Sequence, residues 1–200
     1  MAGFRVGVSG IDPIREAQKV QKVRDAVGEE VWFGVSANHG LDFGTALAFG
    51  RFLEEELDAD WFEDPISVDD VDDYRRLSRK LDIPIAAGSS FPLGRFPQLI
   101  STAGAGILRP DIFQLGGITS TVKLAAFGTA HHRPVVPVLL PEVSVHLACG
   151  LASIQGVEYV RWLEPLWKQG PIIRDGKLVP PAGSGLGLEL DDAAVKRFAI

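Results

Sequence analysis

The sequence has a single cysteine, no cluster of basic residues and no long apolar run. One cysteine, Cys149, excludes an internal disulfide and a cysteine-rich zinc site. The net charge of −6 argues against a nucleic-acid partner. No apolar run approaches the roughly 18 residues of a membrane span, and the N-terminus lacks the basic-then-apolar order of a signal peptide. We therefore expect a cytoplasmic protein with no membrane partner.

What is present is an alternation of apolar strands and amphipathic helices. The first helix is predicted from Asp12-Pro13 to Gly28, with Ile14, Ala17, Val20, Val23 and Val27 at helical spacing. Seven predicted strands begin near residues 4, 31, 60, 83, 107, 135 and 157, a repeat of about 25 residues. This order predicts parallel strands that are covered on both faces. A doubly wound sheet and a (β/α) TIM-type barrel both satisfy it.

Polar residues at successive strand ends favour the barrel, because barrel enzymes place their sites at the carboxyl ends of their strands. No Gly-x-Gly-x-x-Gly follows the first strand, so a dinucleotide-binding sheet is unsupported. We expect residues 1–165 to form the barrel and residues 166–200 to form a tail that packs on it.

One strand end carries the clearest motif, Trp61-Phe-Glu-Asp-Pro65. Proline cannot donate a ladder hydrogen bond, so Pro65 marks the end of the strand and places Glu63 at the rim of the sheet. Similar strand ends lie elsewhere along the chain: Ser36-Ala-Asn38, Gly88-Ser89, Arg109-Pro-Asp111 with Gly116-Gly117, and Val136-Pro-Val138.

In their order and spacing, these motifs resemble the barrel domain of the enolase superfamily, in the mandelate racemase and muconate-lactonising branch. The resemblance extends through Val145-His146 and the tail Pro181 to Gly187. It implies three carboxylates that hold Mg²⁺, and a base that removes the proton next to a substrate carboxylate.

Several positions depart from the pattern that the resemblance implies. Glu63 matches the second metal ligand, but Ser36 and Ser89 stand where the first and third carboxylates belong. We therefore expect no cofactor, or weak Mg²⁺ at most, with Glu63 as the retained ligand position. The family's Lys-x-Lys has no counterpart on the first strand, and Val138 replaces the histidine that would pair with Asp111.

The resemblance also implies that the family's N-terminal capping domain and first barrel strand are absent. Seven strands would leave a gap with an unpaired edge on each side, and such an edge invites association. We expect a homo-oligomer or a complementing subunit.

The candidate catalytic residues are Glu63, Asp111 and His39. For each the alternative is structural: a relic ligand, a carboxylate bound to loop amides, and a surface histidine. The candidate substrate-binding residues are Asn38, Ser36, Ser89, Arg109, Gly116 and Gly117.

Two functions from different classes stay open. The first is a divergent enzyme that acts on a small organic substrate, of carboxylate type, by proton transfer as an isomerase or lyase without the three-carboxylate site. The second is a non-catalytic pseudoenzyme that serves as a ligand-binding or partner subunit.

Overall fold

The computed structural model describes residues 3–9 and 12–199 and divides the chain into two compact units. The first unit ends at Arg109 and the second begins at Pro110. The boundary expected at residues 165 and 166 stays a prediction. In the described part of the chain, no helix is long and apolar enough to cross a membrane.

The first unit contains a parallel sheet whose strands follow one another in sequence order, β1-β2-β3-β4-β5. Each strand matches one of the first five predicted strands. Their bounds are β1 Gly3–Gly7, β2 Trp32–Ser36, β3 Trp61–Glu63, β4 Ile85–Ala87 and β5 Ile107–Leu108.

Helices connect these strands: α1 Pro13–Val27, α2 Phe43–Glu55, α3 Val71–Ser78 and α4 Phe96–Ser101. Asp12 caps α1 as predicted, because its carboxylate accepts from the backbone N–H of Arg15 at 3.1 Å. A short 3₁₀ turn, Leu93–Arg95, precedes α4.

The two faces of the sheet carry different residues, because successive side chains of a strand point to opposite sides. On one face, Phe62 packs on Phe49 of α2 with ring centroids 5.9 Å apart, and Phe33 lies under Arg24 of α1. Both phenylalanines are fully buried. The alternate positions of the same strands include Ser36 and Glu63, which are also buried although they are polar. The polar face of the sheet is therefore a candidate site.

A glycine on β2 makes room for the aromatic residue that begins β3. Gly34 pairs in register with Trp61, and a Cβ on Gly34 would lie 2.0 Å from Cε2 of the Trp61 indole. The indole therefore lies against the bare backbone of Gly34.

The second unit contains helices and short antiparallel strand pairs. Its helices are α5 Ile112–Leu115, α6 Ile118–Ala130, α7 Pro141–Gly150 and α8 Asp192–Phe198. In its strand pairs, β6 Trp167–Gln169 pairs with β9 Glu189–Leu190, and β7 Ile172–Arg174 pairs with β8 Lys177–Val179.

The strands expected near 135 and 157 are not formed as strands, so a barrel of seven strands is not confirmed. Isolated parallel bridges join Asp111 to Val138 and Val135 to Ile154. Pro137, which lies between Val135 and Val138, has no N–H to donate to a neighbouring strand. What the structure confirms is an α/β domain with a parallel sheet of five strands.

Candidate functional site

The candidate site lies at the carboxyl ends of the strands of the first unit. Parallel strands bring these ends to one edge of the sheet, where ligands of α/β proteins bind. The structure places Ser36, Asn38, His39, Glu63, Ser89 and Arg109 there, on or directly after β2 to β5. These are the predicted site residues that belong to the first unit.

Glu63 is fully buried, and both of its carboxylate oxygens accept from arginine side chains. Arg5 Nε and Nη2 donate to Oε1 at 2.9 and 2.8 Å, and Arg109 Nε donates to Oε2 at 2.8 Å. Burial by itself would raise the pKa of Glu63, but the charges of Arg109 and Arg5 outweigh it and hold that pKa below its usual value. Glu63 is therefore an ionised carboxylate that holds two guanidinium groups.

Arg5 is a site residue that the sequence reasoning missed. It lies on β1, the strand on which the family resemblance implies lysines, and its side chain donates to Glu63 on β3. A lone charged residue inside an apolar strand was the signal that could have identified it. The sequence predicts Arg109 as a substrate-binding residue. In the structure its side chain also forms an ion pair with Glu63.

A second cluster joins the ends of β2, β3 and β4. His39 Nε2 lies 3.4 Å from Ser89 Oγ and 3.6 Å from Asp64 Oδ2, and Ser89 Oγ donates to the same Asp64 oxygen. Asp64 is fully buried and also accepts from the backbone N–H of Gly88 at 3.0 Å. Burial raises the pKa of Asp64, against the opposing charge of His39. Asp64 is not among the site residues predicted from the sequence, where a helix-side charge is the favoured interpretation over an acid/base pair with Glu63.

The other ring nitrogen of His39 is held by backbone. Nδ1 lies 3.1 Å from the carbonyl oxygen of Ile66, and a carbonyl can only accept, so Nδ1 carries a proton. The hydroxyl of Tyr74 donates to the same carbonyl at 3.0 Å. The pKa of Tyr74 is well above its ordinary value because the ring is buried, which keeps this hydroxyl protonated. Nε2 is therefore the atom of His39 that can take up or release a proton.

Backbone conformation is unusual at this cluster. Asn38, His39 and Asp64 have φ values of 47°, 63° and 42°, in the left-handed region that non-glycine residues rarely adopt. The N–H of His39 donates to the carbonyl of Asp64 at 2.7 Å, so the loops after β2 and β3 are tied together. Strained backbone of this kind is concentrated at functional sites in proteins.

Ser36 and Asn38 contact each other at the end of β2. The hydroxyl of Ser36 donates to Asn38 Oδ1 at 3.3 Å, and Ser36 is fully buried. Neither residue supplies a negative charge. Their assignment to substrate binding stays a prediction.

The remaining predicted residues belong to the second unit. Asp111 caps α5, because its Oδ1 accepts from the N–H of Phe113 at 2.8 Å. This contact fits the structural alternative, a carboxylate bound to a loop amide. Gly116 and Gly117 have φ values of 86° and 97° and separate α5 from α6. A catalytic role for Asp111 and an anion-binding role for the glycines stay predictions.

The sequence matches a known protein family and is similar to curated proteins. Residues 1–194 match the family described as Enolase C-terminal domain-like. The L-talarate/galactarate dehydratase of Salmonella typhimurium LT2 is 29% identical over 97% of this chain and 49% of its own length. The chain therefore spans about half the length of this curated relative.

Two solved structures are similar to the chain and contain magnesium. L-Talarate dehydratase from Polaromonas sp. JS666, complexed with Mg and L-glucarate, has a TM-score of 0.89 and 31% identity, over 98% of this chain and 55% of its own. The Salmonella typhimurium enzyme, liganded with Mg and L-lyxarohydroxamate, has a TM-score of 0.91 and 28% identity, over 98% of this chain and 50% of its own.

These structures correct one prediction. The expectation of no cofactor, or weak Mg²⁺ at most, is wrong, because a metal cofactor is typical of the relatives. It was drawn from Ser36 and Ser89 alone, since neither hydroxyl brings the negative charge that Mg²⁺ sites use.

The donors that this chain places at the three ligand positions do not fit the ion as arranged. Glu63 gives both oxygens to guanidinium groups, and Ser89 donates to Asp64. Within residues 3–9 and 12–199, no group of three or more His, Cys, Asp or Glu side chains could hold a metal. We therefore assign no reaction step to a metal.

Proposed function

The chain belongs to the enolase C-terminal domain-like family, and on that premise we propose that it carries a proton-transfer site, of lyase or isomerase type, for a small organic carboxylate. The observation that supports this most directly is the position of His39 Nε2, 3.4 Å from Ser89 Oγ and 3.6 Å from Asp64 Oδ2. These groups lie at the strand ends where barrel enzymes perform their chemistry.

The substrate class follows from the relatives. Those compared above are named as dehydratases of talarate and galactarate, which are polyhydroxy dicarboxylates. We propose a polyhydroxy carboxylate for this chain as well. Arg5 supports this choice, because 28% of its side chain is exposed even though Nε and Nη2 donate to Glu63, and a guanidinium is a permanent positive charge that attracts carboxylates.

His39 is the proposed base. Ile66 fixes the proton on Nδ1, so Nε2 is left to accept the proton from the carbon next to the substrate carboxylate. Imidazole is the side chain best suited to exchange a proton under physiological conditions. Only a small part of the ring is exposed, 17% of the side chain, which limits the approach of bulk water.

Asp64 and Ser89 are positioning residues in this proposal. The buried carboxylate of Asp64 stabilises the imidazolium that forms when His39 takes the proton. The hydroxyl of Ser89 contacts both groups and donates to Asp64, which fixes the orientation of the carboxylate. Glu63 holds Arg5 and Arg109 in place, because its oxygens accept from both.

In the lyase version of the reaction, the atoms balance without a further reagent. The C–H bond next to the carboxylate breaks and its proton goes to His39 Nε2. The electron pair of that bond forms a carbon–carbon double bond, and the hydroxyl on the neighbouring carbon leaves. The proton on His39 completes the leaving group as water, and the enol product becomes a 2-keto acid.

The test compares two histidine variants at residues with left-handed backbone. His39 and His132 have φ values of 63° and 54°, a conformation that asparagine tolerates. Purified protein is incubated with a panel of aldonic and aldaric acids in D₂O, with and without Mg²⁺, and α-proton exchange and 2-keto acid are followed by NMR. We expect turnover by the natural protein. The rate should fall at least a hundredfold in His39→Asn, because a general base is lost, and should stay within twofold in His132→Asn.

Two results would contradict this assignment. Activity that survives in His39→Asn would show that His39 is not the base. Absence of α-proton exchange with every acid of the panel would show that the chain does not catalyse the proposed reaction. Binding of an acid without exchange would support the second candidate, a non-catalytic ligand-binding subunit. The observation that favours this candidate is that both oxygens of Glu63 are already engaged by arginines.

We also propose that the protein forms a homo-oligomer or pairs with a complementing subunit. Within the described sheet, β1 is an edge strand that pairs with β2 alone. Phe4 on this strand is 48% exposed and Trp32 on β2 is 50% exposed. An edge strand with exposed aromatic residues favours association.

A further inference from the structure

A groove lies between α1 and α2, on a side of the first unit that the proposed reaction does not use. Its volume is about 950 Å³, within the size range of small-molecule sites. Residues of α1 from Pro13 to Asp25 and residues of α2 from Gly44 to Phe52 line it. Helix α2 packs on Phe62, and Glu63 points to the opposite face of the same strand. The groove is therefore separate from the His39 cluster.

The floor of the groove is apolar. Ala17 of α1 and Ala48 of α2 are small, so the two helices have few side chains to interlock at this place. Phe49 and Phe52 also line the groove, with ring centroids 5.9 Å apart. Ile14 lines it as well and is 75% exposed. An apolar surface of this kind is stabilised when an apolar molecule covers it.

The charged residues that line the groove balance each other. Lys22 and Asp25 are three positions apart on α1, so they lie on one face of the helix. Asp25 accepts from Gln21 Nε2 at 2.9 Å, and Lys22 donates to no carboxylate among the residues that the structure describes. A ligand ion would meet one like charge and one opposite charge here, so the groove favours neither sign. Lys22 and Gln18, one turn apart, are N–H donors for an uncharged carbonyl group.

We propose that this groove binds a small uncharged amphiphile, an alkyl chain with a carbonyl head that accepts from Lys22 and Gln18. The helix from Pro13 to Asp25 is about 18 Å long, which gives an extended chain room along the groove. A protein partner fits less well, because the twelve residues that line the groove are fewer than the roughly 20–30 a side of a stable protein interface. The site does not depend on proton transfer, and its test does not require turnover.

The experiment titrates the full chain with octanamide and butanamide as neutral probes, and with octanoate and octylammonium as charged probes of the same chain length. Binding is followed by NMR through the methyl signals of Ile14 and by calorimetry. We expect saturable binding of octanamide, and at least tenfold weaker binding of butanamide, because four fewer methylene groups are buried. Octanoate and octylammonium should each bind at least threefold more weakly than octanamide and within threefold of each other.

Three variants test the groove itself. Ala48 is exposed and both alanine and glutamate favour helices, so Ala48→Glu should fold, and its charged side chain should weaken octanamide binding at least tenfold. Ala126→Glu, at an exposed position of α6 outside the groove, should change it less than twofold. Lys22→Gln should favour octylammonium over octanoate at least threefold, and Asp25→Asn should favour octanoate by the same factor.

Several results would overturn the proposal. They are no saturable binding of octanamide, equal binding of butanamide, tighter binding of a charged probe by the natural protein, and octanamide binding that is unchanged in Ala48→Glu. A mass that falls in Ala48→Glu, with no binding of octanamide to the natural protein, would assign the groove to a second copy of the chain instead.

Discussion

His39 Nε2 and Asp64 Oδ2 lie 3.6 Å apart, at the ends of neighbouring strands, with Asp64 fully buried. Burial and the adjacent charge of Glu63 raise the pKa of Asp64, while His39 opposes this effect. Asp64 can therefore hold a proton at a higher pH than an exposed aspartate does. This property suits an acid–base pair, and it links the protonation of the site to the stability of the fold.

Asp64→Asn tests that link through its pH dependence. Because the pKa of Asp64 is raised in the folded state, the folded chain binds more protons than the unfolded chain just above the ordinary aspartate pKa of about 3.9. The stability that Asp64 contributes is complete below that pH and is lost as pH rises through the folded pKa. Urea unfolding should show the advantage of the natural protein over Asp64→Asn shrinking from pH 4 towards pH 7. A gap that widens would contradict the raised pKa, and Asp82→Asn serves as the exposed control.

Glu63→Gln should have the opposite pH dependence. The pKa of Glu63 is lowered by Arg109 and Arg5, so its contribution is present above the ordinary glutamate pKa of about 4.3 and is lost as pH falls through the folded pKa. The variant leaves two guanidinium groups without their carboxylate, at a cost of about 3–5 kcal/mol at pH 7. Urea unfolding from pH 3 to pH 7 measures this difference. Exposed Glu30→Gln is the control, and a cost independent of pH would refute the ion-pair account.

Gly34→Ala tests the contact between β2 and β3. The added Cβ would lie 2.0 Å from the indole of Trp61, a distance that requires the ring or the strand to move. We expect the free energy of unfolding to fall by about 1–3 kcal/mol, the usual cost of overpacking. Gly94→Ala is the matched control, since a Cβ there meets nothing within 4 Å. Equal stability of the two variants would show that the indole does not lie on Gly34.

Phe4→Glu tests association through the edge of the sheet. If β1 is part of an interface, the variant should shift the protein towards monomer by placing a charge on the edge strand. Light scattering after size exclusion at micromolar concentration measures the mass. Ile14→Glu changes an apolar residue of α1 that is 75% exposed and should leave the mass unchanged. A natural protein that is monomeric throughout this range would contradict the proposal.

The first five strands could be predicted because each is a short apolar segment followed by a polar or glycine-rich turn, as at Trp61 to Pro65. The segments near 135 and 157 carried the same apolar signal, but Val135 and Val138 form only isolated bridges, and residues 157–160 form no strand. Pro137 was visible in the sequence. Whether this proline interrupts a strand depends on which backbone groups face a neighbouring strand, and the sequence alone does not show that.

In helix α1, the sequence pattern likewise does not predict which side chains are buried. Its apolar spacing predicted a core face that began at Ile14, yet Ile14 is 75% exposed while Glu16 and Arg24 are buried. Arg24 donates to the carbonyl oxygens of Leu57 and Asp58 in the loop after α2, at 2.9 and 2.7 Å. Such contacts join residues more than thirty positions apart, so periodicity within one helix cannot identify them. The contacts of Arg5 with Glu63 and of Asp64 with Ser89, which span 58 and 25 residues, likewise cannot be identified from periodicity.

Glu63 lies on the central strand of the sheet, and its arginine partners come from β1 at one edge and from the residue directly after β5 at the other. The contacts span 58 and 46 residues of sequence, so they can form only after the intervening strands have aligned. We therefore expect this ion network to form late in folding. Once formed, it should slow the separation of the strands more than it hastens their assembly, so that it contributes chiefly to the lifetime of the native state.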